Sequence, residues 1–484
     1  MLSVNDLIAL SPFSVLSFFS ITVMMVIAFY RDHLLTLVLT LTGLLLAFIA
    51  TLVITPSASG MVTILFNIDR YALFYIGLIC SAGFVVALLS YEYFERQEEN
   101  KEEFYLLLLL AVLGSSVLAA AVHFASFFLG LEILSVSLYV LIAYLRDREH
   151  AIEAGVKYLI LAAISSAFLL FGMALVYAEL GGLGFAQLAA GFAAGPVAGP
   201  GNLIIICGLA MIITGAGFKL SAVPFHMWAP DVFEGASAPV ASFVATVSKG
   251  AVFALLLRCF SWIGTYPDSS IFNIFSSIAI ASMFIGNLGA LAQKNIKRLL
   301  AYSSIAHTGY MLAAFLAGGS LSAEAVTYYL AVYFATTLGA FGVIIVLSGK
   351  ACEADDMDDF RGLAWRRPWL AVTFTIMLFS LAGIPITAGF IGKFYIIAAG
   401  VGSGLQLLVG SLIINTAIGL YYYLRIVNVM FTRPSDEEVP RPSPGLPLTA
   451  SLVTALLAIL VVWLGVYPSS LMELIRKSVE GVVK

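Results

Sequence analysis

Five ionisable residues, Glu132, Lys219, Lys249, His307 and Lys393, occur where the surrounding sequence is apolar. Each falls near the middle of an apolar run, where a charge is costly unless a partner, water or a neutral form relieves it. The residue types suggest acid–base chemistry rather than bond-making. A carboxylate favours the ammonium form of a nearby lysine while burial favours the amine, so an acid–lysine pair in such a setting can switch between two protonation states. A neutral histidine donates at one ring nitrogen and accepts at the other, linking two such groups without carrying a permanent charge. Taken singly, any one of them can also be read as a structural polar group held by a neighbour. Five at similar depth point to a shared path for protons.

Lys219 lies in Gly217-Phe-Lys-Leu-Ser-Ala-Val-Pro-Phe-His-Met-Trp-Ala-Pro-Asp231, which also holds Pro224 and His226. An internal proline removes a helical hydrogen bond, so a helix broken around a polar interior is expected, with His226 a possible further member of the path. A second interruption surrounds Pro385 in Leu381-Ala-Gly-Ile-Pro-Ile-Thr-Ala-Gly-Phe-Ile-Gly-Lys393. Glu153 and Lys157 are spaced i,i+4 with the acid first, the favourable order for a same-face pair. Lying nearer a helix end, they read equally as a structural ion pair or as an entry to the path. Arg258 and Arg425 read as anchors or bundle partners.

The scaffold that must position these groups is a membrane one. Of 484 residues, 61% are hydrophobic and 11% charged, and the mean hydropathy is +1.03, which excludes a soluble globular domain. Apolar runs recur so as to give about fourteen spans of roughly 20 residues each. The expected fold is therefore an all-α polytopic membrane protein. Spans seven and twelve, about 201–230 and 369–400, are the broken ones. They stand five spans apart, which suggests two inverted five-helix repeats. The expected divisions are 1–103 (spans one to three), 104–260 (first repeat), 261–431 (second repeat) and 432–484 (span fourteen and tail).

Basic residues sharpen the topology. Loops after odd-numbered spans hold Arg31, Arg96, Lys101, Arg146, Arg148, Lys294, Lys297, Arg298, Lys350, Arg361, Arg366, Arg367, Arg433 and Arg441, whereas loops after even-numbered spans hold only Arg70. The positive-inside rule then places both termini on the non-cytoplasmic side. Arg476, Lys477 and Lys484 mildly oppose that placement. The start, Met1-Leu-Ser-Val-Asn-Asp6, lacks the basic region of a cleaved signal peptide. Gly181 to Asn202 reads as an external loop, and the charged segment Gly349 to Arg367 as a solvated or partner-facing one.

Cys80, Cys207, Cys259 and Cys352 are far apart, so neither a metal site nor a disulfide framework is expected. No dinucleotide fingerprint follows a strand. Gly392-Lys393 is not a phosphate loop, because Thr387 occupies the required glycine position and Phe394 follows the lysine.

Four stretches carry a family resemblance: Phe128-Leu-Gly-Leu-Glu132, Gly217 to Asp231, Ala236-Ser-Ala-Pro-Val-Ala-Ser-Phe-Val-Ala-Thr-Val-Ser-Lys249, and Arg298-Leu-Leu-Ala-Tyr-Ser-Ser-Ile-Ala-His-Thr-Gly-Tyr310. They resemble the antiporter-like membrane subunits of respiratory complex I, over essentially all fourteen spans. Length, Lys393 where a sister branch typically has glutamate, and the loop Asp358 to Pro368 are similar to the N branch of bacterial NADH:quinone oxidoreductases, counterpart of mitochondrial subunit 2. Cation/proton antiporters and membrane hydrogenases share much of the framework and form the alternative.

The resemblance implies that Glu132 and Lys219 are a coupling pair, Lys249 a central relay, His307 a bridge and Lys393 the terminal protonatable group, with His226 on the same hydrated axis. It implies no cofactor on this chain, with NADH, FMN, iron–sulfur clusters and quinone in partner subunits. Proton translocation would be driven from those subunits, making this chain a non-redox part of a translocase. The expected partners are other membrane subunits of such a complex and the lipid bilayer, with no nucleic acid, and the expected location is a bacterial plasma (inner) membrane.

Overall fold

The computed structural model describes residues 3–54, 60–96, 101–146, 148–193, 200–263, 270–349, 353–433 and 447–480. Lys350, Cys352, Arg441 and Lys484 lie outside them. The chain is helical nearly throughout, as a bilayer-embedded backbone must be if every N–H and C=O is to find a partner within its own segment.

The order begins α1 (Val4–Ala9), α2 (Ser11–Phe29), α3 (His33–Val53), the hairpin β1 (Gly60–Met61) and β2 (Asn67–Ile68), α4 (Arg70–Glu95), α5 (Glu103–Ala120), α6 (Phe124–Ile142), α7 (Glu149–Leu180) and α8 (Phe185–Ala193). The first interrupted helix follows as α9 (Pro200–Lys219) and α10 (Trp228–Gly235). Next, α11 (Ala238–Phe243) passes through a π turn, Val244–Ser248, into α12 (Lys249–Ile263). The second half comprises α13 (Ser270–Leu291), α14 (Ile296–Leu316), α15 (Gly319–Leu347), α16 (Leu363–Arg366), the interrupted pair α17 (Pro368–Ala382) and α18 (Ala388–Gly402), α19 (Gln406–Phe431), α20 (Leu448–Val466) and α21 (Ser469–Val479).

Twelve helices among the described residues are long and apolar enough to cross a membrane. Three shorter apolar helices, Leu203–Lys219, Pro368–Ala382 and Ala388–Gly402, lie where the two broken spans are expected. Polarity is inverted relative to a soluble protein. Phe18, Leu52, Ile160 and Ile459 point outward and are exposed, whereas Lys219, Lys249, His307 and Lys393 are buried inside the bundle.

Small residues bring helices together. Gly172 of α7 and Gly208 of α9 meet so closely that a Cβ on either would lie 2.5–2.9 Å from the other's carbonyl oxygen, the close approach that membrane helices use in place of a hydrophobic driving force. Asp69 caps α4 by accepting from Ala72 N–H at 2.8 Å and receives the buried Arg258 guanidinium through two hydrogen bonds of 2.7 and 2.9 Å. That pairing joins α4 to α12 and makes Arg258 a bundle partner. Arg425 donates to the Leu291 carbonyl at 3.2 Å, joining α19 to α13.

Three segments differ from the sequence expectation. Gly181 to Asn202 contains α8, because Phe185 and Leu188, one turn apart, are buried and Phe185 N–H bonds back to Val122. The tail forms α21, whose Met472, Ile475 and Val479 face inward. The segment Gly349 to Arg367 is not wholly solvated. Its Asp355 and Met357 backbones bond to Ile296 and Lys294, and the Glu353 side chain is only 5% exposed.

Candidate functional site

At the first break, α9 ends on Lys219 and the chain turns through Leu220–Met227 before α10. Ser221 takes a positive φ of 52°, and the Val223–Pro224 peptide is cis. Lys219 Nζ donates to Ser135 Oγ of α6 at 2.7 Å and lies 5.3 Å from the Tyr158 ring centroid. Glu132, less than one turn from Ser135 on the same helix, accepts from Ser166 Oγ of α7 at 2.6 Å. Among the described residues Glu132 and Lys219 form no direct ion pair. The expected acid and lysine therefore lie near one another on separate serines, Glu132 on Ser166 and Lys219 on Ser135, with no bridging group among those residues.

Ser221 also reaches the next lysine. Lys249 Nζ donates to the Ser221 hydroxyl and to Ser304 Oγ of α14 at 2.5 Å. Lys249 directly follows the π turn, and such a turn inserts an extra residue that re-aims the side chains beyond it. On α14, His307 stands one turn beyond Ser304. Its Nδ1 meets the Tyr329 hydroxyl at 2.7 Å and its Nε2 the Tyr423 hydroxyl at 3.3 Å, and Tyr423 in turn pairs with Ser303.

The second break repeats the arrangement with different partners. Gly383 (φ 83°) and Ile386 (φ 77°) turn the chain between α17 and α18. Lys393 Nζ donates to the carbonyls of Leu381 (3.0 Å) and Ala382 (2.9 Å), which belong to the last turn of α17 and would otherwise lack intrahelical donors. It also lies 5.2 Å from the Tyr310 ring centroid. Between His307 and this break is a cavity of about 10 Å³ lined by His307, Tyr329, Tyr333, Thr336, Ser380 and Gly389, close to the minimum that holds one water. Thr336 and Ser380 share a hydrogen bond of 3.0 Å at its wall.

The remaining sequence candidates lie apart from this line. His226 is buried, and its Nδ1 meets no hydrogen-bond partner among the described residues. Lys157 pairs with Glu153 at 2.6 Å and with Asp231 at 2.9 Å, and Arg298 pairs with Asp231 at 2.9 Å and Glu234 at 2.6 Å. This half-exposed network joins α7, α10 and α14.

Sequence reasoning missed the hydroxyls. Ser135, Ser166, Ser221, Ser304, Tyr329 and Tyr423 each hold one of the ionisable groups, but serine and tyrosine are too common in apolar helices to signal themselves. It also missed a buried ionic cluster. Glu353 pairs with Lys297 and with Arg148 at 3.3 Å, accepts from Tyr93, and receives Ala238 N–H at the start of α11 at 2.9 Å. Burial pushes the Glu353 carboxyl up, but the Lys297 and Arg148 charges and the hydrogen bonds from Lys297 and Tyr93 outweigh it and hold the group down at about 2. No cluster of metal-ligating side chains occurs among the described residues, and Cys80 is buried as a free thiol.

A family model described as NADH:quinone oxidoreductase/Mrp antiporter, TM, matches residues 121–419. A curated relative, NADH-quinone oxidoreductase subunit N of Nitrosospira multiformis, is 50% identical over 496 residues, covering 99% of this chain and 97% of the relative. Among solved structures, a chain of respiratory complex I from Thermus thermophilus superposes with a TM-score of 0.81 at 30% identity, covering 96% of this chain and 98% of the other. A chain of the Mrp complex from Dietzia sp. DQ12-45-1b gives 0.86 at 19% identity, covering 100% and 98%, a likeness of fold alone.

Proposed function

This chain belongs to the NADH:quinone oxidoreductase/Mrp antiporter family of membrane subunits, and from that premise we propose that it is the proton-translocating N-type subunit of an NADH:quinone oxidoreductase. The observation that carries the proposal is the series of buried protonatable groups around the two helix breaks, each held by neutral partners: Lys219 by Ser135, Lys249 by Ser221 and Ser304, His307 by Tyr329 and Tyr423, and Lys393 by the open end of α17.

In this reading Glu132 and Lys219 form the coupling pair, with no direct contact between them. Lys249 is the central relay, since it contacts the first break and α14 together. His307 passes protons between the halves, with the small cavity beside it as the place for a bridging water. Lys393 is the terminal group. His226, Glu153 and Lys157 belong to the approach to this line rather than to the line itself. Moving one charge against the membrane potential costs roughly 2.3 kcal/mol per 100 mV, so the groups must load and unload in turn and not as a continuous wire.

NADH oxidation and quinone reduction, with their flavin and iron–sulfur clusters, belong to partner subunits, and this chain carries none of those groups. Residues 104–260 and 261–431 act as two inverted repeats, flanked by 1–103 and 432–484, and each contributes one broken helix. The distribution of basic loop residues supports both termini on the non-cytoplasmic face, and the likeness to the Nitrosospira multiformis subunit supports a bacterial inner membrane.

The test is Lys219→Ala in the intact complex, with NADH oxidation and proton pumping measured together. Loss of pumping in an assembled complex supports the role. Normal pumping removes Lys219 from the mechanism. Sodium-driven proton exchange with no dependence on NADH would instead assign the chain to an antiporter.

A further inference from the structure

The backbone of the first break relies on hydroxyls from outside its own helices. A chain that turns inside a membrane must find partners for the N–H and C=O groups it frees. Some stay within the segment: Ser221 N–H bonds to the Phe218 carbonyl at 2.9 Å and Ala222 N–H to that of Gly217 at 2.8 Å. Val223 N–H goes elsewhere and donates to Ser282 Oγ of α13 at 3.0 Å. On the other side of Ser221, the Leu220 carbonyl lies 3.2 Å from Thr308 Oγ1 of α14, which shares its proton with the Ser304 carbonyl at 3.0 Å. Ser282 and Thr308 are both buried. They stand together because Gly309 lets α14 lie against α13, where a Cβ would meet the Ala279 carbonyl oxygen at 2.7 Å and the Met283 nitrogen at 2.9 Å.

These two contacts bracket Ser221. Its hydroxyl donates to the Leu220 carbonyl at 2.6 Å and accepts from Lys249, on a backbone whose φ of 52° is rare for a residue with a side chain. Such a conformation persists only where its surroundings hold it. α14 grips the neighbourhood at two further points: Ser304 receives Lys249 at 2.5 Å, and Lys297 donates to the Ala236 carbonyl, beyond the end of α10, at 2.9 Å. Lys297, Ser304 and Thr308, seven and four residues apart, lie along one stripe of the helix. The second break is held differently. Gly389 N–H donates to Ser380 Oγ at 3.1 Å and Lys393 to the Leu381 and Ala382 carbonyls, all within α17 and α18.

We propose that Ser282, seconded by Thr308, is a positioning residue for proton transfer at the first break: the two hydroxyls fix Ser221, and through it Lys249, to the helix pair that carries His307. This role rests on the proton path through Lys219 and Lys249, and neither hydroxyl carries a proton along it. Without the Ser282 oxygen a buried N–H is left unmet, and the relief open to it is a movement of residues 220–227 that takes Ser221 away from Lys249. The second break, held by groups of its own two half-helices, keeps its place.

The test uses the intact membrane complex, with amide exchange and proton pumping as separate readouts. In Ser282→Ala, hydrogen exchange followed by mass spectrometry should show an amide in residues 220–227 exchanging about tenfold faster, with residues 381–392 unchanged, and NADH-driven pumping per assembled complex should fall about tenfold. Thr308→Val should lower pumping in the same direction, and Thr308→Ser, which keeps the hydroxyl, should restore most of it. Because Ser282 acts through Ser221, adding Ser282→Ala to Ser221→Gly should leave pumping no lower than in Ser221→Gly alone. Unchanged exchange in Ser282→Ala would overturn the anchoring. Faster exchange with undiminished pumping, or losses that add in the double variant, would overturn the positioning role and leave the proton path to be judged by Lys219→Ala. Should Ser282→Ala fail to assemble, Ser282→Cys, which keeps the shape but offers a weak sulfur acceptor, is read by the same measurements.

Discussion

Lys219 and Glu132 are neighbours that do not touch: the lysine donates to Ser135 at 2.7 Å, and the glutamate accepts from Ser166 at 2.6 Å. A direct buried ion pair would hold both groups charged, and removing either partner would strand the other. The lysine has a neutral partner instead, whose oxygen accepts from ammonium and amine alike, while the Ser135 hydroxyl donates to the Leu131 carbonyl at 2.5 Å.

Ser135→Ala is therefore expected to slow NADH-driven proton pumping about tenfold in an assembled complex, since a hydrogen bond to a charged group contributes about 1.5 kcal/mol or more. Ser135→Thr, which keeps the hydroxyl, should recover most of the rate. Pumping unaffected by Ser135→Ala would take this hydroxyl off the path.

Ser221 offers a second test because backbone and side chain can be separated. Its φ of 52° suits glycine, whereas a β-branched residue there carries strain of about 1–3 kcal/mol. Ser221→Gly should assemble normally and pump poorly, having lost the Lys249 contact. Ser221→Val should reduce assembly, read as the amount of complex in the membrane. Equal assembly of the two variants would contradict the backbone argument.

At the second break, Lys393→Ala should depress both pumping and thermal stability, because the carbonyls of Leu381 and Ala382 lose their donor and an unmet buried acceptor costs about 1–3 kcal/mol. Lys393→Arg keeps donors and should preserve stability better than activity. A melting temperature unchanged by Lys393→Ala would show that those carbonyls find other partners.

Glu353 predicts a pH dependence. Its carboxyl is held at about 2, against 4.5 for an unperturbed glutamate, so its contribution to stability is complete above about pH 4.5 and is lost as the pH falls toward 2. Thermal unfolding of the detergent-extracted complex should lose less between pH ~6 and ~3 with Glu353→Gln than without it, although the variant starts lower by about 3 kcal/mol or more for the stranded Lys297 and Arg148. Parallel pH profiles for the two proteins would discount the cluster.

What the sequence made legible was cost. Lys219, Lys249 and Lys393 stand out because a cation in an apolar run demands a reason, and Pro224 and Pro385 because they interrupt helices. Composition alone carried the helical class. The partners were hidden because each arises from a fold-level encounter: Lys219 meets Ser135 across 84 residues, and Lys249 meets Ser304 across 55. Glu353 could not be told from the aspartates beside it, since only tertiary structure decides which acid of a charged loop turns inward. α8 was obscured by glycine and alanine, whose apolar pattern is weak until Phe185 and Leu188 are seen buried.

The seat of Lys393 makes its charge a mechanical matter as well as an electrical one. The two carbonyls it holds form the negative end of α17, and an ammonium there is attracted by the dipole of the whole half-helix. In the proposed role of Lys393, a proton leaving it would take that attraction away and loosen the latch between α17 and α18, so the hinge and the proposed proton site would be one object.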